Sequence, residues 1–83
     1  MKKIFKITTE IFDDSVRGEH PVNNPVVTAL KRQVFPDARS IFVHGNDVVV
    51  DGEMWTLCIA GVRLLNQWNA GKRVVEQYLT ITS

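Results

Sequence analysis

The side chains that could act as nucleophiles are the single cysteine, Cys58, and the serines Ser15 and Ser40. Their candidate general bases are the two histidines, His20 and His44. Cys58 stands between two aliphatic residues in a stretch that predicts a strand, where a thiol is typically a buried packing group. The chain contains no Gly-x-Ser-x-Gly elbow, and nothing in it places a base beside a serine. The sequence therefore predicts a protein that is not an enzyme.

The side chains that could bind a metal ion cluster at Asp13, Asp14, Glu19 and His20. Their spacing differs from that of a calcium loop, and one histidine among carboxylates is a poor zinc site. The five glycines are spread singly and form neither a phosphate-binding loop nor a dinucleotide fingerprint. We therefore expect no metal and no cofactor.

Two pairs of basic residues could contact an acidic partner. Lys31 and Arg32 fall on a predicted helix, and Lys72 and Arg73 follow a second one. The formal net charge is only +1, which lacks the excess typical of proteins that bind nucleic acid non-specifically. Aromatic residues that could stack on bases are Phe42, Trp55, Trp68 and Tyr78. A small nucleic-acid-binding module is therefore the alternative function.

The segment from Glu10 to Asn23 is rich in turn-forming residues and predicts a long irregular connection. Connections of this length in a small domain are commonly functional. Ile11 and Phe12 are expected to pin its start to the core, whereas its tip is expected to be exposed. Together with the basic pairs, the tip gives the predicted partner-binding residues: Val16, Arg17, Glu19, His20, Lys31, Arg32, Lys72 and Arg73.

Two helices are predicted from capping signals and apolar stripes. Asn24 precedes a proline, which together form a typical helix start, and Pro36 ends the helix, which gives bounds of Pro25 to Val34. The second helix is predicted from Ala60 to Ala70, with Gly71 as the left-handed residue that follows its end.

Five stretches with alternating apolar residues predict strands. Their bounds are Lys3 to Thr9, Ser40 to His44, Asp47 to Asp51, Met54 to Ile59 and Val74 to Thr82. Gly45-Asn46 and Gly52-Glu53 predict type II′ hairpin turns, and Asp51-Gly52 is the alternative at the second turn. The unbroken run from Val48 to Val50 predicts a strand buried on both faces.

The element order β-α-β-β-β-α-β predicts one α+β domain over residues 1–83, with two helices on one face of a four- to five-stranded sheet. This order approaches the ferredoxin-like order, in which first and last strands can be neighbours. The opposite face would remain partly open and is where a partner surface is expected. Its predicted residues are Lys6, Thr8, Glu76, Tyr78 and Thr80.

The run from Ile11 to Arg32 contains an acidic pair at Asp13 and Asp14, then Gly18 and Pro21. It continues with the helix start Asn-Pro-Val-Val-Thr-Ala-Leu-Lys. This run resembles a class of small uncharacterised phage and bacterial proteins, whose pattern is an acidic turn, a glycine and Cys-Pro-Ile-Ala-x-Ala-Leu-Lys. Asn24 and Val27 replace the cysteine and the first alanine of that pattern. The resemblance implies a phage-type protein that binds and blocks a host protein, including bacterial defence machinery.

Composition indicates the class of protein and the cellular compartment that we expect. The chain has 83 residues, of which 45% are hydrophobic, as in ordinary globular domains. One cysteine indicates a reducing compartment, Lys6 and Glu10 interrupt any signal-peptide core, and no apolar run spans a membrane. We therefore expect a cytoplasmic, non-enzymatic binding protein that contacts a host or defence protein. A homodimer through the sheet edge or face is left open.

Overall fold

The computed structural model describes residues 1–15, 18 and 20–83. Within these ranges the chain forms an α+β fold of five strands and three helices, which confirms the predicted fold class. The elements in order are β1 (Lys2–Ile7), α1 (Thr9–Asp13), α2 (Pro25–Gln33), β2 (Ile41–His44), β3 (Asp47–Val50), β4 (Glu53–Leu57), α3 (Ile59–Asn69) and β5 (Gln77–Thr82). No helix in the described ranges is both long and apolar enough to cross a membrane.

The sheet has the strand order β1-β5-β4-β3-β2, and every neighbouring pair is antiparallel. First and last strands are neighbours, as predicted. The first strand lies at an edge, however, whereas a ferredoxin-like sheet holds it in the interior. β2, β3 and β4 form a meander of hairpins, and β5 joins this meander to β1.

The core lies between the helices and one face of the sheet. Alternate strand residues are buried there, including Phe5, Val48, Trp55 and Ile81. The buried helix residues of the same cluster are Ile11, Val26, Ala29, Leu30, Leu64 and Leu65. Because side chains alternate across a strand, the intervening residues must point to the opposite face.

Asn24 begins α2, as predicted, and is itself buried with 3% of its surface exposed. Its Oδ1 accepts a hydrogen bond from the Val27 N–H at 3.0 Å, and its Nδ2 donates to the His20 carbonyl at 2.7 Å. Pro25 occupies the first turn, and Val34 caps the other end. The predicted helix is therefore confirmed to within one residue.

The segment after β1 is not irregular throughout, because α1 covers Thr9–Asp13. The Thr8 Oγ1 caps this helix by accepting from the Ile11 N–H at 3.3 Å. Ile11 is buried, and the Phe12 ring stacks on Trp68 with centroids 5.5 Å apart. The expected pinning of this segment is thus confirmed. Its description as a loop was wrong because the threonine cap was read as the end of a strand.

The end of the third meander strand also differs from the prediction. β4 stops at Leu57, and Cys58 is the N-cap of α3 with its side chain half-buried, so it does not lie inside a strand. The Cys58 N–H still donates to the Thr80 carbonyl at 3.0 Å, which prolongs the pairing with β5 by one residue. α3 begins at Ile59 instead of Ala60 and is followed by Gly71 at φ +74°, the predicted left-handed residue.

Both hairpin turns contain two residues. His44 pairs with Asp47, and Gly45 has φ +59°, which fits the predicted type II′ turn. Val50 pairs with Glu53, so the second turn is Asp51-Gly52, with φ +48° and +84°. These angles fit a type I′ turn, so the expected Gly52-Glu53 turn was wrong and its alternative is correct.

Two strand predictions also need correction. Val49 is only half-buried, because no described helix covers its side of β3, so the strand is buried on one face and not on both. β5 begins at Gln77, three residues later than predicted. The preceding Glu76 instead accepts a hydrogen bond from the Thr9 N–H at 2.8 Å, which turns that carboxylate toward the start of α1.

Candidate binding surface

The side of the sheet away from the helices is uncovered within the described part of the chain, and we call it the open face. All five strands contribute to it, and their register places the side chains in rows. Its residues are Lys2, Ile4, Lys6, Phe42, His44, Asp47, Val49, Met54, Thr56, Tyr78, Thr80 and Thr82.

Three of these side chains form an apolar row across β2, β3 and β4. Phe42 lies directly opposite Val49, and Val49 lies directly opposite Met54. Met54 is 57% exposed and Phe42 is 38% exposed. Directly opposed side chains in an antiparallel pair touch or nearly touch, so the row is a continuous apolar strip on the surface.

A polar row runs beside the apolar row and crosses the whole sheet. Lys2 pairs with Thr82, Thr82 with Thr56, Thr56 with Asp47, and Asp47 with His44. The His44 ring also lies nearly parallel to the Phe42 ring, with centroids 6.4 Å apart. The polar row offers hydroxyl groups at its centre and charged groups nearer its ends.

The far corner of the open face holds Lys6 opposite Tyr78. The Lys6 Nζ lies 5.5 Å from the centre of the Tyr78 ring, at the range of a cation–π contact. Tyr78 is 69% exposed, and the neighbouring Ile4 is 63% exposed. This corner therefore presents a large aromatic surface next to a positive charge.

The open face contains part of what the sequence predicted. Lys6, Tyr78 and Thr80 lie on it, as expected. Thr8 and Glu76 do not, because both are committed to α1 through their hydrogen bonds to backbone N–H groups. The apolar row was missed. Its signal is the alternation within each strand, but only the register between strands shows that the three residues are neighbours.

Of the partner-binding residues predicted in the first connection, the structure describes only His20. Val16, Arg17 and Glu19 lie outside the described residues. His20 is exposed, and it lines a cavity of about 250 Å³ together with His44 and Asn24. The cavity adjoins both histidine residues, but the His44 ring lies on the open face, where it stacks on Phe42.

The predicted basic pair on α2 is exposed but already engaged within the chain. The Arg32 guanidinium forms an ion pair with Asp14 at 2.7 Å. The Lys31 ammonium donates hydrogen bonds to the carbonyl oxygens of Pro36 and Ala38. An exposed ion pair contributes little to stability, so Arg32 can exchange this contact for another at low cost. Lys31, in contrast, helps to hold the turn after α2.

The other basic pair follows α3. The Lys72 backbone N–H donates to the Gln67 carbonyl at 2.9 Å, and the side chains of Lys72 and Arg73 are both exposed.

Two of the candidate nucleophiles, Cys58 and Ser15, form hydrogen bonds with backbone groups. The Cys58 Sγ accepts from the Thr80 N–H at 3.4 Å, and the Ser15 Oγ donates to the Ile11 carbonyl at 2.6 Å. Among the described residues, no group of three or more histidine, cysteine or acidic side chains could hold a metal ion.

Comparisons with protein-family models, with curated proteins and with solved structures find no match to this chain.

Proposed function

We propose that this chain is a non-enzymatic binding protein whose open face contacts a protein partner. The observation that carries the proposal is the exposed apolar row of Phe42, Val49 and Met54. Scattered exposed apolar residues are normal, whereas contiguous ones commonly mark interaction sites. Here the continuity is imposed by the register of three neighbouring strands.

The packing of the domain leaves this row available. The buried faces of α1, α2 and α3 all belong to the cluster on the other side of the sheet. No described element therefore remains to cover the open face. A partner that buries the exposed parts of Phe42 and Met54 would be stabilised on this face by the hydrophobic effect.

The charges of the open face indicate the chemistry of the partner. Lys2 and Lys6 lie on β1, and Asp47 is the acidic residue of the face. A complementary surface would offer apolar side chains opposite the apolar row and carboxylates opposite the lysines. Two copies of this chain would complement each other less well if β1 faced β1, since their lysines would then repel.

The resemblance of residues 11–32 to phage-type proteins extends the proposal. Under it, the partner is a bacterial host protein, such as a component of a defence system, and binding inhibits that protein in the host cytoplasm. The free thiol of Cys58 is compatible with a reducing compartment.

Affinity capture from a bacterial lysate tests the proposal when variants of the open face are compared with a matched control. Three baits are compared: the parent chain, a face variant that carries Phe42→Lys together with Met54→Lys, and a control that carries Val22→Lys. Val22 is 63% exposed but lies before α2 and lines a hollow with the α2 residues Val27 and Lys31, on the helix side of the sheet. A partner that the face variant loses and the control retains supports the proposal. A partner that all three baits capture equally contradicts it.

The alternative function is binding of single-stranded nucleic acid on the same face. It is favoured by the Lys6–Tyr78 contact and by the parallel rings of Phe42 and His44. Bases stack on exposed aromatic rings of open sheets while lysines contact phosphates. The Lys31 and Arg32 pair supports this alternative less, because both side chains have intramolecular contacts.

Fluorescence anisotropy with labelled single-stranded DNA and RNA distinguishes the two functions. Nucleic-acid binding predicts an affinity that falls steeply with salt and that Tyr78→Ala weakens. The absence of any binding at low salt would eliminate the alternative and leave the protein partner.

A further inference from the structure

The first half of β1 has backbone groups that pair with nothing, and we call the N–H and carbonyl groups of Lys2 and Ile4 the β1 edge. The Lys6 N–H and carbonyl form hydrogen bonds with the side chain of Gln33 on α2, so they point away from β5. In an antiparallel pair, every second residue of a strand shares this orientation. Ile4 and Lys2 therefore direct the same groups away from β5. None of these four groups has a partner within the described part of the chain.

The β1 edge is open to another chain. β1 is the outermost strand on its side of the sheet. Ile4 is 63% exposed, and Lys2 is exposed as well. The Gln33 side chain covers the backbone of Lys6 alone. A strand that pairs with Lys2 and Ile4 would therefore form four backbone hydrogen bonds and would end at Gln33.

The side chains around the β1 edge carry positive charge that the fold does not neutralise. Lys2 and Lys6 lie on the open face, and Lys3 points to the other side of the sheet. None of the three forms an ion pair within the described ranges, and β5 beside them is uncharged over Gln77–Thr82. Lysines at a sheet edge oppose pairing with a strand of like charge. They therefore disfavour the β1 strand of a second copy and favour an acidic strand.

We propose that the β1 edge binds an extended acidic segment of a partner protein as a sixth, antiparallel strand. An apolar side chain of the segment would lie opposite Ile4, and carboxylates would lie opposite Lys2 and Lys3. The backbone hydrogen bonds would supply affinity and the side chains selectivity, as in other complexes formed by strand addition. The antiparallel direction continues the pattern of every strand pair in the sheet. The site adjoins the open face but depends neither on its apolar row nor on the function proposed for it.

A synthetic peptide tests the β1 edge without the partner. The probe is the acetylated and amidated peptide Glu-Thr-Val-Glu-Glu, whose valine would pair with Ile4 and whose last two residues would pair with Lys3 and Lys2. The readout is the backbone ¹H–¹⁵N cross-peaks of Ile4 and Lys2 in a heteronuclear NMR spectrum. We expect both cross-peaks to shift at millimolar peptide concentration. The uncharged analogue Gln-Thr-Val-Gln-Gln should bind at least about fivefold more weakly.

Methylation of single peptide nitrogens separates strand pairing from simple attraction of charges. The valine N–H would donate to the Ile4 carbonyl, so N-methylation of the valine should weaken binding by about tenfold or more. The N–H of the glutamate that follows it would point away from β1, so N-methylation there should change the affinity by less than about twofold. Equal binding of the two methylated peptides would overturn the proposal, because attraction of charges does not depend on a particular backbone N–H.

Variants of the protein complete the test. Lys3→Glu places a like charge opposite the segment and should weaken binding of the probe by about fivefold or more. Arg39→Glu changes the net charge equally but lies just before β2, at the opposite edge of the sheet, so it should change the affinity by less than about twofold. Equal effects of the two variants, or unresponsive Ile4 and Lys2 cross-peaks, would overturn the proposal. Cross-peaks that respond to protein concentration and not to the peptide would also overturn it, because the occupant would then be a second copy of this chain.

Discussion

The Gln33 side chain forms with Lys6 both hydrogen bonds that a neighbouring strand would form. Its Oε1 accepts from the Lys6 N–H at 2.8 Å, and its Nε2 donates to the Lys6 carbonyl at 2.7 Å. Lys6 lies on β1, at an edge of the sheet, so these backbone groups point away from β5. A side chain of α2 thus occupies the place of a sixth strand at this point. Occupied edges are less prone to pair with other chains.

Removal of this amide should destabilise the fold and uncover the edge. Gln33→Ala is expected to lower the free energy of unfolding by about 1 kcal/mol, because two partly exposed hydrogen bonds are lost. The matched control is Gln67→Ala on the exposed side of α3, where the side chain has no hydrogen bond within the described ranges, and a change below about 0.5 kcal/mol is expected there. Urea unfolding measures both. Equal losses of stability in the two variants would contradict the proposed role of the Gln33 hydrogen bonds at the sheet edge.

The buried Asn24 side chain should stabilise the fold through two hydrogen bonds, which substitutions can remove separately. Asn24→Ala is expected to cost about 0.5–2 kcal/mol from the cap alone, and the lost donation to the His20 carbonyl adds to it. Asn24→Ser restores an acceptor for the Val27 N–H but not the donor, so its loss of stability should be smaller. Thermal or urea unfolding of the three proteins gives the order. An alanine variant as stable as the parent would show that the cap contributes nothing.

Gly61 is required because α3 packs against Leu57. A Cβ at this position would lie 2.6 Å from Leu57 Cδ1 and 2.7 Å from its Cγ, closer than atoms can approach. Gly61→Ala should therefore cost about 1–3 kcal/mol, although alanine favours helix by about 1 kcal/mol.

A double-mutant cycle with Leu57→Ala tests this cause. With the leucine shortened, Gly61→Ala should cost less than in the parent chain, because the clashing atoms are gone. If the two substitutions lower the free energy of unfolding additively, the cost of Gly61→Ala does not come from a clash with Leu57.

The β3–β4 turn should tolerate only certain residues at Asp51. This residue has φ +48°, and its carboxylate holds the Arg39 and Ser40 N–H groups. Asp51→Asn keeps an acceptor and suits a left-handed backbone, so its stability should stay within about 0.5 kcal/mol of the parent. Asp51→Gly loses only the hydrogen bonds. Asp51→Ala loses them and adds backbone strain, so it should be the least stable of the three variants by urea unfolding. A different order would contradict this account.

Local signals in the sequence predicted most elements of the fold. Asn24 and Pro25 mark the start of α2 because a cap and a proline act within one turn of chain. Predictions failed where a residue is compatible with two different local structures. Thr8 suits the end of a strand as well as a helix cap, Cys58 lies where a strand passes directly into a helix, and Gly52 fits either of two turns.

The open face could be predicted only in outline. Alternation within one strand indicates which residues share a side, as it did for Lys6 and Tyr78. The apolar row depends on the register among β2, β3 and β4, and a shift by one residue would turn Val49 toward the core. The edge-to-face contact between Phe35 and Trp55 joins two segments that are distant in sequence, and no local pattern predicts it.

The pairing of β1 with β5 determines the order in which the chain can fold. The β2–β4 hairpins close over two-residue turns, whereas Ile7 must find Gln77 and Lys2 must find Thr82 across nearly the whole chain. Closing so long a loop costs entropy before any contact compensates for it, so β1 is expected to dock after the meander has formed. In stopped-flow experiments, changes in the hairpin turns should slow refolding, whereas Gln33→Ala should mainly accelerate unfolding.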